Sequence, residues 1–137
     1  MRVITTVPLF AILLIFYNAL FAFTRVNRPD IDLLNYALAN FTLPSGEIWF
    51  LTGQDALIII GLIVLYIELV KATSASDTSI IEHVFSMMVF LAYLFEFLFF
   101  PYVADSAFLI LCVMSLIDVL AGFTISVISA RRDLTVG

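Results

Sequence analysis

Asp118 is the residue whose type and position point most directly to chemistry. It is the only charged residue between Ala107 and Ser129, with at least ten residues of that apolar run on either side. A charge at a bilayer centre costs about 2.5–3.5 kcal/mol even on the mild insertion scale. A carboxyl group there is expected to be neutralised by a proton or well hydrogen-bonded. By depth, Tyr66 is a candidate hydroxyl partner, and Ser115 lies three residues away on the same helix face. Two readings follow: a proton or cation relay, or an interhelical hydrogen bond that fixes packing.

The remaining acids have blander readings. Glu96 stands one to two turns from the end of its apolar run, within reach of water or of Arg25 and Arg28. Glu68 precedes Lys71 by three residues, the spacing of an i,i+3 ion pair. Glu82 closes the sequence Ser79-Ile-Ile-Glu82, a capping box, and His83 beside it reads as a surface histidine. Asp55 suits the positive end of a helix dipole.

Several chemistries are excluded by count. One cysteine, Cys112, allows no internal disulfide, no CxxC pair and no cysteine-rich zinc site. One histidine cannot ligate a haem from both sides. No glycine-rich phosphate loop, GxSxG elbow or HExxH motif occurs. The expectation is a protein that is not an enzyme and carries no cofactor or catalytic metal. Six Lys+Arg against eleven Asp+Glu exclude a basic nucleic-acid binder.

The elements that must position these residues follow from composition. The chain is 64% hydrophobic and only 12% charged. A soluble domain is nearer 45–50% and about 25%. The expected fold class is therefore all-α integral membrane, a four-transmembrane-helix bundle in a single domain. A span needs roughly 20 apolar residues. Four candidates fit, at about residues 3–23, 53–70, 80–102 and 107–129. The first is longer than the roughly 7–15 residues of a signal-peptide core, so it reads as a retained span. Between the first two spans, residues 24–52 form the only long connection. There Ile31, Leu34, Leu38 and Phe41 recur at helical spacing after Asp30, which predicts a short interfacial amphipathic helix over 31–42. Pro44-Ser45-Gly46 ends it, and Trp49 and Phe50 follow as interfacial anchors.

Lys and Arg set the orientation. Arg2, Lys71, Arg131 and Arg132 would share one side and Arg25 and Arg28 the other, which favours both termini in the cytoplasm. Polar and small residues inside the spans fall on stripes. These are Gln54, Gly61 and Glu68; Glu82, Ser86, Tyr93 and Glu96, interrupted by the apolar Val89; and Ser115, Asp118, Gly122, Ser126 and Ser129. Lipid offers no hydrogen bonds, so these faces are expected to turn inward. The third span ends in a dense aromatic stretch in which Phe95, Phe97, Phe99 and Phe100 spread around the helix. They form an interfacial belt or a partner-docking surface.

Four segments also carry a resemblance: Gly53-Gln-Asp55, Glu68-Leu-Val-Lys71, Asp118-Val-Leu-Ala-Gly122 and Arg131-Arg132-Asp133. Together they resemble small four-span bacterial inner-membrane proteins with no assigned function. The resemblance implies a bacterial cytoplasmic membrane and no particular chemistry. The functional expectation is an interaction protein in the lipid bilayer, an accessory subunit or scaffold contacting other membrane subunits or itself. The alternative is a small proton- or cation-coupled transporter or channel using Asp118.

Overall fold

The computed structural model describes residues 7–74 and 80–136. The protein is mostly helical, and four of its helices are long and apolar enough to cross a membrane. They are α1 (Leu9–Asn27), α2 (Gly53–Ser74), α3 (Ile80–Phe99) and α4 (Ser106–Val136). A hairpin of β1 (Ala37–Thr42) and β2 (Ile48–Thr52) joins α1 to α2. A 3₁₀ turn, Pro101–Val103, joins α3 to α4.

The hairpin replaces the amphipathic helix expected over 31–42. Two local causes decide against the helix. Asp32 accepts hydrogen bonds from the Asn35 side-chain amide (2.8 Å) and backbone N–H (3.5 Å), closing a turn where the helix would begin. Pro44-Ser45-Gly46 then reverses the chain between two strand-forming runs. Leu43 N–H donates to Glu47 O, Gly46 N–H donates to Leu43 O, and Gly46 takes a φ of 89°, which glycine adopts without strain. The strands pair antiparallel, with Phe41 opposite Trp49 and their rings stacked at 6.0 Å. The spacing of Ile31, Leu34, Leu38 and Phe41 is thus a coincidence, and Leu38 and Phe41 are exposed.

The helix ends also differ from expectation. Residues 3–6 and Ser79, with its capping box, lie outside the described residues. Helix α1 runs on through Arg25 to Asn27 and stops before Pro29, since the residue preceding a proline disfavours helix. Helix α3 ends at Phe99, ahead of Pro101. Helix α4 continues through Arg131 and Arg132 to Val136. At 1.5 Å per residue its 31 residues span about 46 Å, well beyond a hydrocarbon core of about 30 Å.

Helix α4 is the hub. Of its apolar window 44% is buried, against 22% for α1, 17% for α2 and 6% for α3. The core joins Phe10, Leu13, Leu14 and Tyr17 of α1 to Leu57 of α2, Tyr93 of α3, and Phe108, Leu111, Cys112 and Met114 of α4. Gly61 lets α2 approach α4 closely. A Cβ there would stand 2.5 Å from Leu111 Cδ2 and 2.9 Å from Met114 Sδ.

Candidate functional site

The polar stripes do face inward. Glu68, Ser115 and Asp118 are buried at 5%, 1% and 7% exposure. Gly61, Tyr93 and Gly122 are buried too, and Glu82, Ser86 and Glu96 are half-buried; only Ser129, at the projecting end of α4, is exposed.

These residues gather into two clusters at different depths. The first lies toward the end of the bundle that carries Lys71. Its cavity of ≈ 40 Å³ is lined by Glu68 and Lys71 of α2, Glu82, His83 and Ser86 of α3, and Asp118 and Gly122 of α4, with Pro8 closing one side. A volume of that order admits a single water. The charged and polar groups acting on Asp118 are Glu68, Lys71 and the Ser86 hydroxyl. Tyr66, the hydroxyl partner expected from depth, is 68% exposed and lies outside this cluster. Ser115 is buried one turn along α4, but the cavity is not lined by it.

Glu68 does more than its spacing predicts. It pairs with Lys71 at 3.1 Å, as expected. It also accepts the Leu9 N–H at 2.6 Å, capping the free first turn of α1 with a carboxylate from another helix. His83 is not a surface histidine. Its ring packs where a Cβ on Gly122 would come within 3.3 Å, and its Nε2 hydrogen-bonds Ser126 Oγ at 2.7 Å. A Cβ on Gly122 would require that ring to shift by a few tenths of an ångström.

The second cluster lies toward the hairpin. Glu96 accepts from Asn18 Nδ2 at 2.8 Å, and neither Arg25 nor Arg28 pairs with it. Arg25 instead stands over the Tyr102 ring, 5.9 Å from its centroid. Asp105 holds two elements at once. Its Oδ1 caps α4 by accepting Phe108 N–H (2.8 Å), and its Oδ2 accepts the Tyr17 hydroxyl (2.6 Å). Sequence reasoning missed Asp105, although an aspartate opening an apolar helix is a capping signal. Nothing local marked Tyr17 or Asn18. Asp55 sits at the start of α2 as expected, where Thr52 and Asp55 cap each other reciprocally. Asp55 Oδ2 accepts Thr52 N–H at 3.0 Å and Thr52 Oγ1 accepts Asp55 N–H at 3.3 Å.

The aromatic stretch divides by side. Phe95 (54% exposed), Phe99 (66%) and Phe100 (38%) lie outside, and their rings form a chain with Tyr102 at centroid distances of 4.7–6.1 Å. Phe97 turns inward against the core. Residues two apart on a helix point about 200° apart, which is why Phe97 leaves the patch.

Among the described residues no three His, Cys, Asp or Glu side chains are grouped to hold a metal ion. No protein family matches the sequence, and no curated protein or solved structure is significantly similar to it.

Proposed function

We propose that this chain is a multi-pass protein of the bacterial cytoplasmic membrane that serves as a non-catalytic interaction subunit. It would be an accessory component or scaffold of a larger membrane assembly. The observation that carries this is the outer face of α3. Only 6% of its apolar window is fully buried by this chain, and its exposed side bears Phe95 and Phe99, whose ring cluster continues into Phe100 and Tyr102 of the following turn. Aromatic side chains bring large contact area at low entropic cost, which suits a packing partner. The charge distribution supports both termini in the cytoplasm, with Lys71, Arg131 and Arg132 at one end and Arg25 and Arg28 at the other.

The test is mild-detergent purification of the tagged protein from its native membrane, followed by native mass spectrometry. A stoichiometric heterologous partner, or a defined homo-oligomer, that is lost in the Phe95→Ala/Phe99→Ala double variant is the expected result. A monomer alone, from freshly solubilised membranes, overturns the reading.

A second reading rests on the cavity around Asp118, where Glu68, Glu82, Lys71 and His83 converge. Ionisable groups grouped inside spans mark proton and cation routes in membrane proteins. Proton flux into liposomes that falls to background in Asp118→Asn would favour it. Equal flux in the two would remove it.

A further inference from the structure

A cavity of ≈ 600 Å³ opens at the hairpin end, between the last turns of α1, the connection 28–34 and Tyr102. That volume is in the range of small-molecule and cofactor sites. Its walls are of two kinds. Phe21 and Leu33 are apolar and half-buried, whereas Arg25, Arg28 and Asp32 are charged and exposed. Both arginines are exposed, and among the described residues neither forms an ion pair. Arg25 lies over the face of Tyr102. Asp32 has its own anchor, because the Asn35 side-chain amide and backbone N–H hold its carboxyl below the usual carboxylate range. Among the lining residues the two guanidiniums outnumber the one carboxylate, Asp32; Asp30 stands between Pro29 and Ile31, and Glu96 is held by Asn18.

We propose that this cavity binds one anionic phospholipid, its phosphate between Arg25 and Arg28 and the start of an acyl chain over Phe21 and Leu33. Three features select that occupant. The guanidinium fork matches phosphate oxygens in a bidentate manner that a lysine would not. The two arginines, neither in an ion pair among the described residues, favour an anionic headgroup over a zwitterionic one. The cavity sits where apolar helix gives way to polar connection, the level at which a headgroup meets its chains. The site rests on the membrane-spanning reading above. It adds to it a lipid that would tether α1 to the connection carrying the hairpin.

The experiment has two arms on one preparation. Sodium carbonate extraction of native membranes first tests the spanning reading, and release of the protein would overturn both it and the lipid site. The carbonate-resistant protein is then reconstituted in bilayers of equal phosphatidylglycerol and phosphatidylcholine, extracted, and weighed with its retained lipid by native mass spectrometry. We expect one phosphatidylglycerol retained in preference to phosphatidylcholine. In Arg25→Gln/Arg28→Gln that preference should fall on the order of tenfold. In Arg131→Gln/Arg132→Gln, two exposed arginines at the other end of the molecule, it should be unchanged. Equal retention of the two lipids, or an unchanged preference in Arg25→Gln/Arg28→Gln, overturns the site while leaving the spanning reading intact. Displacement of the lipid by millimolar glycerol phosphate would show a site for a free anion and overturn the lipid assignment. Helical circular dichroism confirms that each variant is folded.

Discussion

Removing Asp105 tests whether a single carboxylate joins two helices. Asp105 caps α4 through Phe108 N–H, and loss of an N-cap costs about 1 kcal/mol. It also receives the hydroxyl of Tyr17, a residue with 0% exposure. A buried hydroxyl left without a partner costs about 1–3 kcal/mol. Asp105→Ala should therefore destabilise by about 2–4 kcal/mol. Tyr17→Phe removes the donor but leaves the cap in place, and should cost about 1 kcal/mol. Because both substitutions delete the same bond, the double variant should cost less than the sum, by about 1 kcal/mol. That exceeds the roughly 0.6 kcal/mol average for hydrogen bonds in membrane proteins, since a 2.6 Å bond to a carboxylate is among the short, strong ones. The assay is reversible unfolding in mixed micelles of increasing dodecyl sulfate content, followed by far-ultraviolet circular dichroism. Additivity within about 0.3 kcal/mol would refute the shared bond. A Tyr17→Phe variant as stable as the parent would refute the claim that this hydroxyl anchors α1.

Gly53→Ala should destabilise the hairpin-to-α2 junction by about 2 kcal/mol, because its Cβ would collide with the Leu33 backbone carbonyl and part the Gly53–Tyr36 and Gln54–Leu34 hydrogen bonds. Limited proteolysis of the 28–36 connection should then be faster, and an unchanged rate would contradict that packing. Glu68→Ala should uncap Leu9 N–H and unpair Lys71, accelerating amide exchange in the first turn of α1, whereas Glu68→Gln keeps an acceptor and should restore most of the protection. Gly46→Ala should cost about 1 kcal/mol through its φ of 89°, read as a lower unfolding midpoint with helix content preserved.

The four long apolar helices were legible from composition and the length of their apolar runs, and their inward faces from periodicity. Gln54, Gly61 and Glu68 recur every seven residues, and Ser115, Asp118 and Gly122 every three or four, so a helix must place each set on one side. The connection between α1 and α2 was misread because one period fitted by accident, while the turn chemistry of Asp32 and of Pro44-Ser45-Gly46 outweighed it. Helix rotation was the other source of error. Tyr66 and Asp118 appear level when counted along their helices, but Tyr66 is on the outer face of α2. Glu68 keeps the local pair with Lys71 that its spacing implies, and the packing of α2, α3 and α4 also brings Glu68 and Glu82 to the cavity that Asp118 lines. Contacts between helices depend on rotation and stagger, which no single segment encodes.

The way α1 is held shows what supplies that missing information. In the membrane-spanning reading proposed above, lipid tails are as apolar as leucine, so burial of Phe10, Leu13 and Leu14 would give α1 little reason to prefer the bundle over the membrane. Polar bonds decide instead. At one level Leu9 N–H donates to Glu68 of α2, and Phe10 O accepts from the Tyr93 hydroxyl of α3 at 3.0 Å. Eight residues on, about 12 Å along the axis, Tyr17 donates to Asp105 and Asn18 to Glu96 of α3. One level alone would leave α1 free to swing about it. Two levels, each with two bonds to different segments, fix its tilt and its rotation together. A slip of α1 by one turn, about 5.4 Å, would break all four bonds and leave Glu68, Glu96 and Asp105 without the partners that α1 provides. The register of α1 is thus set by its few polar atoms, and the apolar majority only fills the space between them.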